Sequence, residues 1–337
     1  MIGRLTQKLR DRLDLAQSEM TAAMHDIMSG KAAIRDIADF LTALAEKGET
    51  VDEIVAAVSV MRTLAVPVKT GRDIVLDTCG TGGDRKGTFN ISTTAAFVVS
   101  ACGVTVAKHG NRSVSSACGS ADVLEAAGVV ISLSAERIEQ CLQEVGIAFL
   151  YAPNFHPAMK YAAAARKQLG RRTIFNIMGP LCNPAKATHQ LVGVFSPELM
   201  PVIAGVLGAL GTKRALVIHS KDGLDEISTT GATMMCEYRN GVISNFEVTP
   251  EMFGLQRVSV DLLRGGSVAD NAQTMLDILR GSPGIKRDIV VLNAAGALYA
   301  AEQVPGLSEG VAAAGRAIET GAALRKFEAL REFTNHG

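Results

Sequence analysis

The sequence predicts a two-part α/β protein. A small all-helical N-terminal domain precedes a large α/β domain whose mostly parallel central sheet is wrapped by helices. Three observations carry this expectation. The first seventy residues repeat apolar side chains at spacings of three and four, with no strand-like run. From Asp73 onward, short β-branched runs alternate with glycine-closed helical stretches. Of the 337 residues 47 % are apolar but only 4 % aromatic, so a large core is available and it is aliphatic.

In the N-terminal part, Leu5, Leu9, Leu13 and Ala16 fall on one helix face, and Ile34, Ile37, Ala38 and Leu41 repeat the pattern before Gly48 stops it. Thr50 and Glu53 form a capping-box signature for a helix carrying Ile54, Val55 and Val58, and Pro67 ends the run. The expected domains are residues 1–70, completed by helices near 157–185, and residues 71–337.

In the second part, strands are expected at Ile74–Leu76, Val104–Ala107, Arg172–Phe175, Leu191–Val194, Ala215–His219 and Ile289–Leu292. Helices are expected at Thr94–Cys102, closed by Gly103, and near Ser116–Ala127, closed by Gly128. Met234–Val248 reads as a hairpin with Asn240 and Gly241 at its tip. The glycine-rich stretch Arg264–Ser267 reads as a surface loop.

Thirty-four basic and 34 acidic side chains leave a formal charge of zero. That excludes the broad positive field of nonspecific nucleic-acid binding, so an anionic ligand must be held by a local site. Cys79, Cys102, Cys118, Cys141, Cys182 and Cys236 are scattered without metal or disulfide spacing and read as small buried hydrophobes in a reducing compartment. The chain start lacks the apolar core of a signal peptide, and no apolar run reaches the roughly 18 residues of a membrane span. A cytoplasmic protein is expected.

Four segments carry chemistry. Asp77 to Asp84 places Gly80, Gly82 and Gly83 directly after a strand, where backbone N–H groups can approach an anion without Cβ obstruction. Ser92 and Thr93 follow at a helix start suited to phosphate. Neither the P-loop nor the dinucleotide pattern is present. Lys108 to Ser116 occupies the equivalent place after the next strand, with two cations, an amide and three serines, and Ser120 faces the same phosphate from the next helix start. Asp222, Asp225 and Glu226 crowd a strand end, a donor set for Mg²⁺ shared with substrate phosphates. Pro157 and Gly170 bound a helix on which Met159 and Arg166, seven residues apart, share a face suited to an aromatic carboxylate.

The GTGGD turn followed by TFNIST, the KHGNRSVSS loop, the FHP…R helix, NIMGPLCNPA and DGLDE, in this order and over about residues 5–330, resemble the anthranilate phosphoribosyltransferases. The pyrimidine nucleoside phosphorylases are similar at greater distance. The resemblance implies transfer of the phosphoribosyl group of 5-phosphoribosyl 1-diphosphate (PRPP) to anthranilate, in a cleft between the two domains of a homodimer. It implies PRPP binding by Gly80, Gly83, Asp84, Thr88, Asn90, Ile91, Ser92, Thr93, Lys108, Ser115, Ser116 and Ser120. It implies Mg²⁺, two ions per site with PRPP, on Ser92, Asp225 and Glu226. Anthranilate contacts would come from Gly80, Asn111 and Arg166, with His109, Pro153, His156, Met159 and Gly179 lining the path, and catalysis from Lys108, Asn111 and Arg166. Met159 stands where relatives often have tyrosine. Two rivals are a same-fold enzyme with another acceptor, such as a nucleoside phosphorylase, and a noncatalytic nucleic-acid-binding relative. Whether a glutaminase subunit associates is not written in the chain.

Overall fold

The computed structural model describes residues 1–113 and 118–336. Four helices come first: α1 (Ile2–Arg10), α2 (Gln17–Met28), α3 (Ile34–Lys47) and α4 (Val51–Leu64). Leu5 and Leu9 of α1 pack with Ile37, Phe40, Leu41 and Leu44 of α3, all fully buried. The α4 capping box forms as expected: the Thr50 hydroxyl accepts from the Glu53 N–H at 3.2 Å, and the Glu53 carboxylate accepts from the Thr50 N–H at 2.8 Å. Glu53 is buried yet satisfied, because the Leu15 N–H and the Lys47 ammonium also reach it at 2.9 Å. One expectation fails here. The first helix stops at Arg10, so Leu13 is not on its face and is 54 % exposed.

The chain then alternates. The elements are β1 (Val75–Gly80), α5 (Ile91–Ala101), β2 (Thr105–Gly110), α6 (Ser120–Ala126), α7 (Ala135–Glu144), β3 (Ile147–Tyr151), α8 (Ala152–Phe155), α9 (Lys160–Leu169), α10 (Phe175–Met178), β4 (His189–Gly193), α11 (Leu199–Ala209) and β5 (Arg214–Ser220). The hairpin β6 (Thr233–Arg239) and β7 (Val242–Val248) follows. The C-terminal helices are α12 (Val268–Leu279), α13 (Ile285–Ala300), α14 (Leu307–Glu319) and α15 (Ala322–Asn335).

The seven strands form one sheet in the order β3-β2-β1-β4-β5-β6-β7, parallel through β5 and antiparallel beyond it. At the hairpin tip Asn240 and Gly241 both take positive φ, 50° and 84°, the geometry that matches strand twist. Successive strands run outward from β1 in one direction and from β4 in the other. The gap between β1 and β4 is therefore the switch point at which open α/β sheets bind ligands.

Two expected strands are helical or irregular. Arg172–Phe175 is a turn into α10, fixed by the Thr173 N–H donating to Asn176 Oδ1 at 2.9 Å. Ile289–Leu292 lies inside α13, which is buried on every side from Ile289 to Leu298, and an apolar run of that kind has no periodicity that separates strand from helix. The helix expected near Ser116 begins at Ser120 in the described residues.

Two cores sandwich the sheet. On one face, α5, α12, α13, α14 and α15 pack around Phe97 and Phe327. On the other, α1–α4 share a core with α9, α10, α11 and the inward residues of β4–β6. Among the described residues no helix is long and apolar enough to cross a membrane.

Candidate active site at the β1–β4 switch point

Gly80 of β1 and Gly193 of β4 are in register at the carboxyl end of the sheet. The chain turns after Gly80, with Gly82 and Gly83 at φ 63° and 82°, and the Thr81 N–H donates to the Gly193 carbonyl at 2.8 Å. The acidic loop after β5 lies directly on these glycines. A Cβ on Gly193 would stand 1.7 Å from the Asp225 carbonyl oxygen, and one on Gly80 would stand 2.7 Å from Asp225 Oδ2. The Gly82 N–H donates to Asp225 Oδ2 at 3.1 Å, and the Ser92 N–H, in the first turn of α5, donates to Glu226 Oε1 at 3.2 Å.

Asp225 and Glu226 keep part of their surface open to the cleft, while protein on the other sides desolvates them. Burial, then the neighbouring Asp84, raises the Asp225 pKa to about 7. Burial, then Asp225, pushes Glu226 well above the ordinary carboxylate range, against the pull of Lys108. Burial also raises Asp84, whose Oδ2 is buried without a hydrogen-bond partner. Among the described residues no three such side chains gather around one point, but the adjacent carboxylates Asp225 and Glu226, with Ser92 beside them, fit a Mg²⁺ whose remaining ligands are substrate phosphates.

Lys108, on β2, is buried and donates to the Thr78 carbonyl and, at 3.4 Å, to Ser92 Oγ. Burial lowers its pKa, with Asp77 opposing. Asp77 lies beneath it on β1, wholly buried. It accepts from the His109 N–H at 3.2 Å and from Asn183 Nδ2 at 2.8 Å, and burial, partly offset by Lys108, raises its pKa to about 6.

The loop after β2 is tied to the start of α6. The Asn111 carbonyl accepts from Ser120 Oγ and the Ala121 N–H, both at 3.2 Å. Asn90 Nδ2 donates to the Cys118 carbonyl at 3.4 Å, which joins this loop to the start of α5. Ser115 and Ser116 lie outside the described residues. Arg112 is occupied by Asp122 and Glu125. Ile91 and Thr93 turn their side chains into the core, and the Ile91 N–H donates to the Phe89 carbonyl at 2.8 Å, so these two residues could meet a ligand only through their backbone.

His109 and His156 stack edge to face with ring centroids 5.1 Å apart, and His109 Nδ1 lies 3.1 Å from the Gly179 carbonyl. Burial holds both rings neutral at pH 7, His109 with a pKa lowered to about 3 and His156 to about 4. Pro153 is exposed in the first turn of α8, and Met159 is partly buried just before α9. Arg166 sits on α9 with its guanidinium carbon 5.2 Å from the centre of the Phe175 ring. Burial lowers its pKa, and among the described residues it makes no ion pair. The structure thus brings His109, His156 and Gly179 together, whereas Asn111 lies on the loop after β2 and Arg166 on α9, with no bond between them among the described residues.

Several contributors escaped sequence reasoning. Arg172 donates to the Gly83 carbonyl at 2.5 Å and lies flat on Phe195, 3.6 Å from the ring centre. Asn183 joins Asp77 to the Ala107 carbonyl, both at 2.8 Å. Asn293 on α13 bonds the residue after Glu226, and an isolated amide inside an apolar run was the signal for it. Arg264–Ser267 is more than a surface loop: Arg264 bridges to Thr88, and the Gly265 N–H donates to the Gly87 carbonyl at 3.0 Å, bracing the glycine turn.

Two family models match in chain order: the helical bundle domain of a glycosyl transferase family over residues 4–65, and its a/b domain over residues 72–324. The anthranilate phosphoribosyltransferase of Alkaliphilus metalliredigens is 50 % identical over 330 residues, covering 98 % of this chain and 97 % of that protein. The enzyme of that name from Symbiobacterium thermophilum is also 50 % identical, with the same coverage. Among solved structures, anthranilate phosphoribosyltransferase from Thermus thermophilus superposes with a TM-score of 0.93 at 40 % identity, covering 98 % of this chain and 99 % of that one. The Saccharomyces cerevisiae enzyme in complex with PRPP and Mg superposes at 0.91 with 26 % identity, covering 99 % and 98 %. With both domain matches in order and half its residues shared end to end with such enzymes, this chain belongs to the glycosyl transferase family of the anthranilate phosphoribosyltransferases.

Proposed function

We propose that this protein transfers the 5-phosphoribosyl group of PRPP to the amine of anthranilate and releases pyrophosphate, a step of tryptophan biosynthesis. The observation that carries this reading is the pair Asp225–Glu226 laid across the β1–β4 switch point, facing a glycine turn and Lys108.

In this reading the ribose C1–O bond breaks and pyrophosphate departs with the electron pair. The lone pair of the anthranilate nitrogen forms the new C1–N bond, and the amine proton passes to solvent. The amine is neutral at pH 7, so no general base is required, and the buried neutral histidines are suited to lining the path. PRPP would be held by Gly80, Gly83, Asp84, Thr88, Asn90, Ser92, Lys108 and Ser120, with the backbone of Ile91 and Thr93 beside it. The Lys108 ammonium and the turn N–H groups oppose charge on the leaving group. Mg²⁺, two ions on Ser92, Asp225 and Glu226, supplies further neutralisation of diphosphate charge when bound. Arg166, desolvated and without an acidic partner among the described residues, would take the anthranilate carboxylate while Asn111 aligns the amine with C1.

The same reading makes the enzyme a cytoplasmic homodimer joined through its helical N-terminal part. The exposed Leu13 and Ile34, 54 % and 49 % accessible, support that surface.

Purified protein mixed with PRPP, Mg²⁺ and anthranilate tests the proposal by anthranilate fluorescence. Loss of signal that requires both PRPP and Mg²⁺ is the expected result. Retained signal with PRPP bound, together with phosphate-dependent cleavage of thymidine or uridine, would replace the acceptor and overturn the reading.

A further inference from the structure

The acidic loop carries its adjacent pair of carboxylates at residues 225 and 226, and the next residue is held in an unusual way. Ile227 donates its N–H to Asn293 Oδ1 at 2.8 Å, and its carbonyl accepts from Asn293 Nδ2 at 2.9 Å. Asn293 spends its second N–H on the Ile289 carbonyl, 2.8 Å away and one turn earlier in its own helix. The amide is fully buried, and one lone pair and both of its N–H bonds are committed. Two parallel bonds to a single peptide residue fix both translation and rotation of the backbone that bears Glu226.

A second feature of α13 serves the same end. Gly296 lies three residues further along, on the same helix face, and a Cβ there would stand 2.3 Å from Ile227 Cδ1. Asn293 therefore grips the Ile227 backbone while Gly296 leaves the space its side chain fills. Asparagine and glycine are both poor choices for the middle of a buried helix on propensity alone. The need for a buried strand-end loop to be gripped at one point accounts for both.

Asn293 and Glu226 also line one small internal cavity, together with Thr78 and Ser92. The amide thus shares a wall of this cavity with Glu226 and meets the acidic loop from the α13 side. At the other end of the loop Asp222 accepts from the Leu224 N–H at 3.1 Å and from Ser228 Oγ at 2.7 Å, so the segment between is pinned on both flanks.

We propose that Asn293 and Gly296 are positioning residues for metal binding: they set the spacing of Asp225 and Glu226, and with it the affinity for the divalent cation that accompanies PRPP. The inference rests on the reading that Asp225 and Glu226 hold that cation. Groups that orient metal ligands from behind typically change metal affinity by about 10- to 100-fold when removed.

The test uses the full-length protein with PRPP and reads bound Mn²⁺ by electron paramagnetic resonance, alongside the Mg²⁺ dependence of turnover. Asn293→Ala should weaken Mn²⁺ binding about tenfold or more, with kcat largely recovered at saturating Mg²⁺. Val290→Ala, a truncation of a buried residue on the same helix, controls for loss of stability and should leave Mn²⁺ affinity unchanged. Gly296→Ala should weaken Mn²⁺ binding in a protein whose helix is intrinsically more favourable, and adding Ile227→Val, which deletes the obstructing Cδ1, should restore it. Wild-type Mn²⁺ affinity in folded Asn293→Ala overturns the proposal. If that variant does not fold, wild-type affinity in Gly296→Ala overturns it instead. Wild-type affinity in Asp225→Asn with Glu226→Gln would sink the metal assignment itself, an outcome separable from the other two.

Discussion

Gly193 and Asp225 meet backbone to backbone: a single methyl group on the glycine would overlap the Asp225 carbonyl oxygen, at 1.7 Å. No rotamer relieves such a contact, because both partners are main chain. Gly193→Ala should therefore lift the acidic loop off the sheet. Displacements of about 1 Å at a reacting centre cost roughly 100-fold, and kcat/KM should fall at least that far in a protein that still shows wild-type circular dichroism. Retained activity would show that the loop has freedom the packing denies.

Arg166 and the carboxylate pair should separate kinetically. Arg166→Ala is expected to raise KM for anthranilate by about 10- to 100-fold, the worth of one charged hydrogen bond, and to leave KM for PRPP near its wild-type value. Asp225→Asn with Glu226→Gln should instead abolish Mg²⁺-dependent turnover. Steady-state kinetics with each substrate varied in turn distinguishes the two, and identical profiles would contradict the assigned roles.

Arg172 is exposed, so its loss should alter thermal stability only modestly. Its bond to the Gly83 carbonyl and its stacking on Phe195 restrain the glycine turn. Each contact is worth about 1 kcal/mol, and Arg172→Ala should raise KM for PRPP by about three- to tenfold. An unchanged KM would mean the turn holds its shape unaided.

His156 makes a pH prediction whose sign follows from its lowered pKa. Above about pH 6.5 the ring is neutral in folded and unfolded chains alike. Below that the unfolded chain takes up the proton first, so stability declines as pH falls, until the folded ring titrates near pH 4. The slope in this window is at most about 1.4 kcal/mol per pH unit per group. His156→Gln should flatten it, measured as urea midpoints from pH 6.5 to 4.5. Asp77 acts with the opposite sign, its pKa being raised to about 6, but it is common to both proteins and leaves their difference untouched. Parallel pH profiles would refute a neutral buried ring.

What could be read from sequence was what the chain carries contiguously. The glycine turn at 80–83, the start of α5 at Ser92, and the acidic turn at 222–226 are each a few adjacent residues with one chemical character. Their docking partners act across long gaps: 66 residues from Ile227 to Asn293, 106 from Asp77 to Asn183 and 89 from Gly83 to Arg172. No periodicity reports such pairs. The misread strand at Ile289–Leu292 compounded this, since placing the run on a strand removed the helix face that aligns Asn293 with Gly296. Arg172–Phe175 failed for another reason. Its β-branched residues are buried, but Thr173 spends its N–H on Asn176 and so leaves a turn where a strand was expected.

The clamp on Ile227 also sets an order of events during synthesis. Asp225 reaches back 143 residues to Gly82, while Asn293 lies 66 residues ahead of Ile227 and must be made later. A nascent chain that has emerged only through β6 holds both carboxylates with nothing behind them. On the proposed reading the cation site would mature only when α13 docks, after all seven strands of the sheet have been made, and a ribosome-stalled or prematurely terminated chain would carry the glycine turn and the acidic loop without that clamp.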